Sequence, residues 1–271
     1  MQAVVNRIHI AYTDEGKGAP LVFIHGFPLN REAWAKQIPV LKSSYRVIAP
    51  DLRGFGESET TGGTVPMSRF AADLYALLEH LGTGPVILVG HSMGGYVALA
   101  FAQAYPQLLA GLVLVGTKAG ADSEEAAATR RATTEQVRME GVSMVIDAMA
   151  PKMLSAHRGD AAMEADVRAI MASSHPQGLI GALFGMAERH DAKNWLGEIR
   201  VPTLVITGAD DLLIPPDESE ALVQGIPGAH LRRIEGAGHL VAFEEPDAFN
   251  AALEDWLNTT VRQLGALHAS T

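Results

Sequence analysis

Cysteine is absent from the 271-residue chain. That excludes disulfide staples, thiolate metal sites and cysteine nucleophiles, and it leaves the redox compartment open. Long apolar runs are missing as well. The longest, around Leu108–Gly116, is strand-sized and falls short of the roughly 18 residues that mark a membrane-spanning helix. Charge is sparse at 19% and leans to one sign, with 21 basic against 31 acidic residues and a formal net charge of −10. Such a surface repels phosphate backbones and anionic lipid, so neither a nucleic-acid nor a membrane partner is expected. Met1–Arg7 lacks a basic stretch leading into an apolar run and a cleavage site, so no signal peptide is expected. The simplest expectation is a soluble, cytoplasmic protein. At 48% hydrophobic residues, the chain can bury the core of one large domain, or of a core with a modest insertion.

Short β-rich runs alternate with helical patterns. Leu21–Ile24, Arg46–Ala49, Val86–Val89, Leu112–Val115 and Thr203–Ile206 are nearly unbroken apolar segments. Continuous hydrophobicity means burial on both faces, as in a parallel sheet covered by helices. Val4–Ala11 alternates and reads as one half-exposed edge strand; Leu231–Ile234 is a candidate last strand. Helical patterns occupy Arg31–Leu41, Ser68–Leu81, Met93–Tyr105, Asp217–Gln224 and Asp247–Leu257, with Ser68 as N-cap and Gly82 as stop for the second. This rhythm implies right-handed βαβ crossovers and a doubly wound, mostly parallel sheet of the α/β class. From Ala121 to Gly197 the rhythm breaks. Helices are expected there at Ser123–Glu140, Val142–Met149, Ala161–Ser173 and Gln177–Arg189. The expected organisation is therefore a core of residues 1–120 and 198–271 with an inserted helical cap, 121–197. Seven of the ten methionines fall between Met139 and Met186. Methionine fills irregular apolar space, so these residues suit either a pocket wall or simple glue between small helices.

The strongest chemical signal is Gly90-His91-Ser92-Met93-Gly94-Gly95. A Gly-x-Ser-x-Gly between strand and helix is a nucleophile elbow, where a tight turn strains the serine backbone and lifts its hydroxyl above the sheet. Gly90 and Gly94 flank it because a β-carbon would collide across the turn. Serine needs a base held by a carboxylate. Thr203–Ile206 runs into Gly208-Ala209-Asp210-Asp211, which sets a carboxylate past a strand's C-terminal end, where open α/β sheets build their sites. Asp211 is the candidate acid and Asp210 its alternative. Gly236-Ala237-Gly238-His239 offers the base, since small residues let a loop carry His239 over the sheet edge. The oxyanion of a tetrahedral intermediate needs two backbone N–H donors. Met93, after the nucleophile, is the first, and Phe27 in His25-Gly26-Phe27-Pro28 is the second. Of the other histidines, His9, His80, His157, His190, His230 and His268 read as solvated, His175 as part of a turn before Pro176, and His91 as a support for its loop. No histidine pair shows metal-ligand spacing, so no metal and no cofactor is expected.

On these motifs, together with Pro50-Asp51-Leu52-Arg53-Gly54-Phe55-Gly56-Glu57-Ser58 and the order Ser92, Asp211, His239, the chain resembles the α/β-hydrolase fold superfamily over nearly its whole length. Within it, the sequence is similar to 3-oxoadipate enol-lactonase-like and small-ester serine hydrolases, and to cofactor-free haloperoxidases (perhydrolases). The resemblance implies a helical cap after the sixth strand and a structural role for the Asp51–Ser58 loop, with Asp51 and Arg53 fixing it. Serine at position 92 sets aside the dehalogenase and epoxide hydrolase activities of this fold, which use aspartate. The expected function is hydrolysis of a small-molecule ester or lactone through an acyl-enzyme. The alternatives are perhydrolysis, carbon–carbon bond hydrolysis, or a small-lactone receptor. The apolar stretches of the cap favour small to medium uncharged acyl groups, although Arg130, Arg131, Arg138, Lys152 and Arg189 offer partners for a carboxylate. Assembly as a homo-oligomer stays open.

Overall fold

The computed structural model describes residues 1–157 and 160–268, with side chains as far as Thr259. Eight strands form one sheet: β1 (Gln2–Val5), β2 (Ile8–Glu15), β3 (Pro20–Ile24), β4 (Arg46–Pro50), β5 (Val86–His91), β6 (Leu109–Val115), β7 (Thr203–Gly208) and β8 (His230–Ile234). Their order is β1-β2-β4-β3-β5-β6-β7-β8. β1 and β2 pair antiparallel, as do β2 and β4, and the other neighbours are parallel. The chain is therefore an α/β protein with a doubly wound, mostly parallel sheet.

Side-chain alternation divides each central strand between two cores. In β3, Val22 and Ile24 face one hydrophobic cluster, while Leu21 and Phe23 face the other. Helices cover both faces: α1 (Ile38–Leu41), α2 (Met67–Leu81), α3 (Met93–Ala104), α8 (Pro216–Gly225), α9 (Val241–Glu244) and α10 (Pro246–His268). Trp34, Phe249 and Leu253 pack under one face, and Phe70, Leu74 and Phe101 under the other. Burial on both sides is why these strands read as unbroken apolar runs.

Three expectations need correction. Val4–Ala11 is not one edge strand but a hairpin, because Asn6 and Arg7 both take positive φ (47° and 65°) and turn the chain. Such turns usually carry glycine at the second position, and Arg7 hides the signal. The Arg31–Leu41 helix is in fact a 3-10 turn, Arg31–Trp34, followed by the single turn α1. Pro39, which has no N–H to donate, sits at the start of that turn. Ser68 does not cap α2: Pro66 precedes its first residue, and Ser68 lies in the first turn. Gly82 does end α2, in the left-handed conformation (φ 58°).

Between β6 and β7 run α4 (Glu124–Glu140), α5 (Ser143–Met153), α6 (Ala161–Ala172) and α7 (Pro176–Ala187). α7 sits directly on core loops. A β-carbon on Gly178 would lie 1.9 Å from the Gly54 carbonyl oxygen, and one on Gly185 equally close to that of Val65. Only glycine allows this backbone approach. Among the described residues, no helix is long and apolar enough to cross a membrane. The methionines divide: Met144 and Met149 line a cavity, Met153, Met171 and Met186 are core, and Met139 is exposed.

The loop beneath α7 is anchored by a buried ion pair. Arg53 donates from Nε and Nη2 to the two carboxylate oxygens of Asp73 on α2, both at 2.7 Å. Asp51 accepts from the backbone amides of Arg31 and Glu57 and pairs with the Arg31 guanidinium. Removing one partner of a buried pair leaves the other charge uncompensated, so Asp73→Ala should cost about 3–5 kcal/mol. Equilibrium urea denaturation measures this directly.

Candidate active site

The site is built at the C-terminal ends of β3, β5, β7 and β8. β5 runs straight into α3 through Ser92, whose φ of 53° and ψ of −115° form the strained turn expected there. The turn holds because both its backbone groups are bonded. Ser92 N–H donates to the Val115 carbonyl at 2.9 Å, and the Ser92 carbonyl accepts from Thr117 Oγ1 at 2.8 Å and Gly95 N–H at 2.9 Å. A β-carbon on Gly90 would stand 2.4 Å from the Gly94 oxygen, and one on Gly94 would stand 2.3 Å from the Ile24 oxygen. The helix start is thus pressed against the end of β3.

The structure brings Ser92, Asp211 and His239 together. His239 Nε2 lies 2.9 Å from Ser92 Oγ, and His239 Nδ1 lies 2.8 Å from Asp211 Oδ2. The other Asp211 oxygen accepts the amides of Leu213 and Ile214 at 2.8 and 2.9 Å. Burial alone would raise the Asp211 pKa, but His239 and these donors outweigh it and hold the carboxyl below its ordinary value. Asp211 thus stays ionised and the Nδ1 proton stays on His239. Asp210 points elsewhere: its Oδ2 accepts from Ser155 Oγ at 2.8 Å. Their hydrogen-bond partners separate the two neighbours in a way their spacing could not.

The segment carrying Phe27 lies against the turn that precedes Met93. A β-carbon on Gly26 would lie 3.0 Å from Ser92 Cβ, so the loop carrying Phe27 abuts the nucleophile turn. Among the described residues, neither the Phe27 nor the Met93 amide has a hydrogen-bond acceptor. Two free donors beside one hydroxyl are suited to an oxyanion.

Two buried histidines brace this arrangement. His25 Nε2 accepts the Leu52 amide at 2.9 Å, which leaves Nδ1 to donate to the Gly26 carbonyl at 2.9 Å. His91 Nε2 donates to the His239 carbonyl at 2.9 Å. His91, expected to support its own loop, braces the loop of His239 instead, and His25 was legible only as part of a turn. His9, His80, His157, His190 and His230 are exposed, and the His268 side chain lies outside the described residues. His175 caps α7 by accepting the Gln177 amide at 3.3 Å. Thr117, Ser155 and Glu244 were missed. For Glu244 a signal existed, an acid closing the apolar run Leu240–Phe243; for the two hydroxyls there was none.

A cavity of about 500 Å³ opens beside Phe27. α4 lines one wall with Thr129, Arg130 and Thr133, and α5 the other with Met144 and Met149. Ser92 and His239 are not part of its wall; Phe27 is the link. Arg130 is not a free cation, because its Nε bonds to Asp122. Burial pushes the Asp122 pKa up, but Arg130, Lys118 and Arg189 outweigh it and hold it below its ordinary value. Arg189 is also committed, lying 3.9 Å over the Tyr96 ring and donating to the carbonyls of Ala119 and Gly120.

Burial, aided by neighbouring His239, lowers the His91 pKa from 6.5 to about 3, and burial lowers that of His25 as well. Both folded values lie below the unfolded one. Below pH 6.5 the unfolded chain therefore binds protons that the folded chain refuses. Stability is whole above that pH and falls as pH drops, by up to about 1.4 kcal/mol per pH unit for His91, with His25 adding in the same direction. Urea midpoints should decline from about pH 6.5 to 5, and His91→Gln, which removes one titrating group, should flatten the slope.

Comparison with known proteins places this geometry. A solved thermophilic esterase from Thermogutta terrifontis is 40% identical, with a TM-score of 0.92, covering 96% of this chain and 98% of that one. A solved enol-lactonase from Burkholderia xenovorans LB400 is 26% identical, with a TM-score of 0.89, covering 95% of this chain and 100% of that one. A 2-hydroxy-6-oxononadienedioate/2-hydroxy-6-oxononatrienedioate hydrolase from Paraburkholderia xenovorans is 30% identical over 269 residues, spanning 92% of this chain and 91% of its own. The sequence pattern of the alpha/beta hydrolase fold matches residues 19–138 and 186–246. With the elbow, the sheet order and these matches together, the chain belongs to the α/β hydrolase fold family.

Proposed function

We propose that the protein is a serine hydrolase that cleaves carboxylic esters or lactones of small to medium acyl groups. The observation that carries this reading is His239 Nε2 at 2.9 Å from Ser92 Oγ while Nδ1 is held by Asp211 at 2.8 Å. In this reading Ser92 Oγ attacks the carbonyl carbon as its proton passes to His239 Nε2. The oxyanion rests on the Phe27 and Met93 amides. His239 then protonates the leaving alcohol, and water, deprotonated by the same imidazole, releases the acid. Asp211 holds the ring and balances the imidazolium. The segment 121–197 serves as the substrate-facing cap over a core of 1–120 and 198–271.

The cavity supports an uncharged acyl group. Arg130 is tied to Asp122 through its Nε, and Glu125 stands in the same wall, where its charge opposes a second carboxylate. The esterase and the enol-lactonase among the similar structures support carboxyl-ester chemistry. The relative named as a dienedioate hydrolase favours a second reading, attack of the same serine on a ketone. Its dicarboxylate substrate suits this wall less well.

Ser92→Ala should lower hydrolysis of p-nitrophenyl butanoate by roughly 10⁴-fold or more, and Asp211→Asn should fall by about 10³–10⁴. Undiminished turnover in Ser92→Ala would refute the assignment. Neutral butanoate esters should exceed the matching hemisuccinates in kcat/KM by about tenfold, a difference of about 1.4 kcal/mol in transition-state binding.

A further inference from the structure

We infer that Glu244 and Ser155 are positioning residues for His239, and that the α5–α6 half of the cap is a fixed part of the catalytic geometry, not a detachable lid. The inference rests on the serine-hydrolase reading above. It begins with a buried carboxylate. Glu244 Oε1 accepts the amide of Gly238, next to His239, at 2.9 Å. Its Oε2 accepts the amide of Ser155, just past the end of α5, at 2.7 Å. One side chain thus ties the histidine loop to the cap, and both Glu244 and Ser155 are only 2% exposed.

Further contacts close the same seam. Ser155 Oγ donates to Asp210, the neighbour of Asp211, at 2.8 Å, and Leu240 N–H donates to the Met153 carbonyl at 3.0 Å. A β-carbon on Gly238 would lie 2.5 Å from the Ser155 nitrogen, so no gap exists at this seam. Apolar packing fills the rest, with Ala150, Met153, Val167 and Met171 from α5 and α6 clustered against Leu240 and Phe243. The end of α6 grips the other side of the site. Ser174 Oγ donates to the Pro28 carbonyl at 2.8 Å, beside Phe27, and Asn30 donates to Ser173 Oγ at 2.7 Å. Lifting α5 and α6 would therefore pull on the base and on the oxyanion loop together. A buried N–H left without its acceptor is costly, so separation along this seam is disfavoured.

The test uses the full chain and compares Glu244→Gln and Ser155→Ala with wild type and Ser92→Ala. A glutamine keeps one acceptor oxygen but presents an NH₂ to the other backbone N–H. We expect Glu244→Gln to lose about tenfold or more in kcat with KM within about twofold. Ser155→Ala, which keeps the amide link and loses the hydroxyl's bonds to Asp210 and from the His157 amide, should lose about threefold. The far-downfield proton resonance of His239 Nδ1–H should shift or broaden in both. Should Glu244→Gln fail to fold, Ser155→Ala carries the same two readouts. An unmoved resonance, with any fall in activity following the melting temperature alone, would make both residues merely structural and overturn the inference. Full activity in Glu244→Gln beside an inactive Ser92→Ala would also overturn it and leave the hydrolase reading standing. An active Ser92→Ala would instead remove that reading itself.

Discussion

A non-glycine residue at positive φ is held at one point in this fold where no relaxed alternative exists. Ser92 must end a buried parallel strand and begin a helix within a single residue, and its φ of 53° is the consequence. Such a conformation costs on the order of 1–3 kcal/mol and persists only where the surroundings over-determine it. Here they do: the Val115 carbonyl, the Thr117 hydroxyl and the helix amides occupy the serine's own backbone groups. Flattening the turn would break these bonds and drive the α3 start into Ile24. The hydroxyl is thereby delivered to the rim of the sheet without the help of any flexible segment.

Given that fixed hydroxyl, every partner must come to it, and each arrives on a loop that something buried restrains. The electrostatics show how. Five ionisable side chains, His25, His91, Asp211, His239 and Glu244, lie nearly out of reach of solvent around one serine. Burial of so many groups is tolerable only if each proton has one address. His25 and His91 meet this by staying neutral, each with a ring N–H committed to a backbone carbonyl. Asp211 meets it by accepting three donors, and Glu244 by accepting two amides. The His239 proton inventory is then constrained on one side by Asp211 and open only toward Ser92. Protonating either bracing histidine would disturb the loop it supports, so the site and the fold share the same acid limit.

The parts of this arrangement that could be read from residues are those that side-chain type dictates. Unbroken apolar runs marked the central strands because both of their faces are covered. Glycine spacing around Ser92 marked the turn because a β-carbon there has no room. The hairpin at Asn6–Arg7 could not be read, since its second residue is an arginine held at positive φ by pairing on either side. The break at Pro39 lies inside an apolar period that reads as one helix, Arg31–Leu41. Asp210 and Asp211 share a type and a location. Only the direction of their side chains distinguishes them, and that direction depends on Ser155, fifty-five positions away. The glycine-flanked His239 was legible because loop chemistry at the end of a strand leaves few candidates.

What stayed hidden has one physical character. Apart from the Glu244 carboxylate, the seam between α5–α6 and the loops carrying His239 and Phe27 is made of backbone amides, backbone carbonyls and short hydroxyls: Met153 O, Ser155 N, Ser174 Oγ, Pro28 O. Nearly any sequence can supply these groups, so composition and periodicity say nothing of them. Yet a contact through backbone atoms constrains position more tightly than one through a long side chain, because no rotamer freedom intervenes. The α4 wall is different, with Thr129, Arg130 and Thr133 lining the cavity and no bond to the loops of His239 or Phe27 among the described residues. Under the proposed hydrolase reading, substitutions on that wall alter the acyl group admitted without displacing His239 or Phe27, whereas substitutions along the seam act on both. The segment between β6 and β7 thus contains two kinds of surface, one that faces only the cavity and one bound to the loops that hold His239 and Phe27.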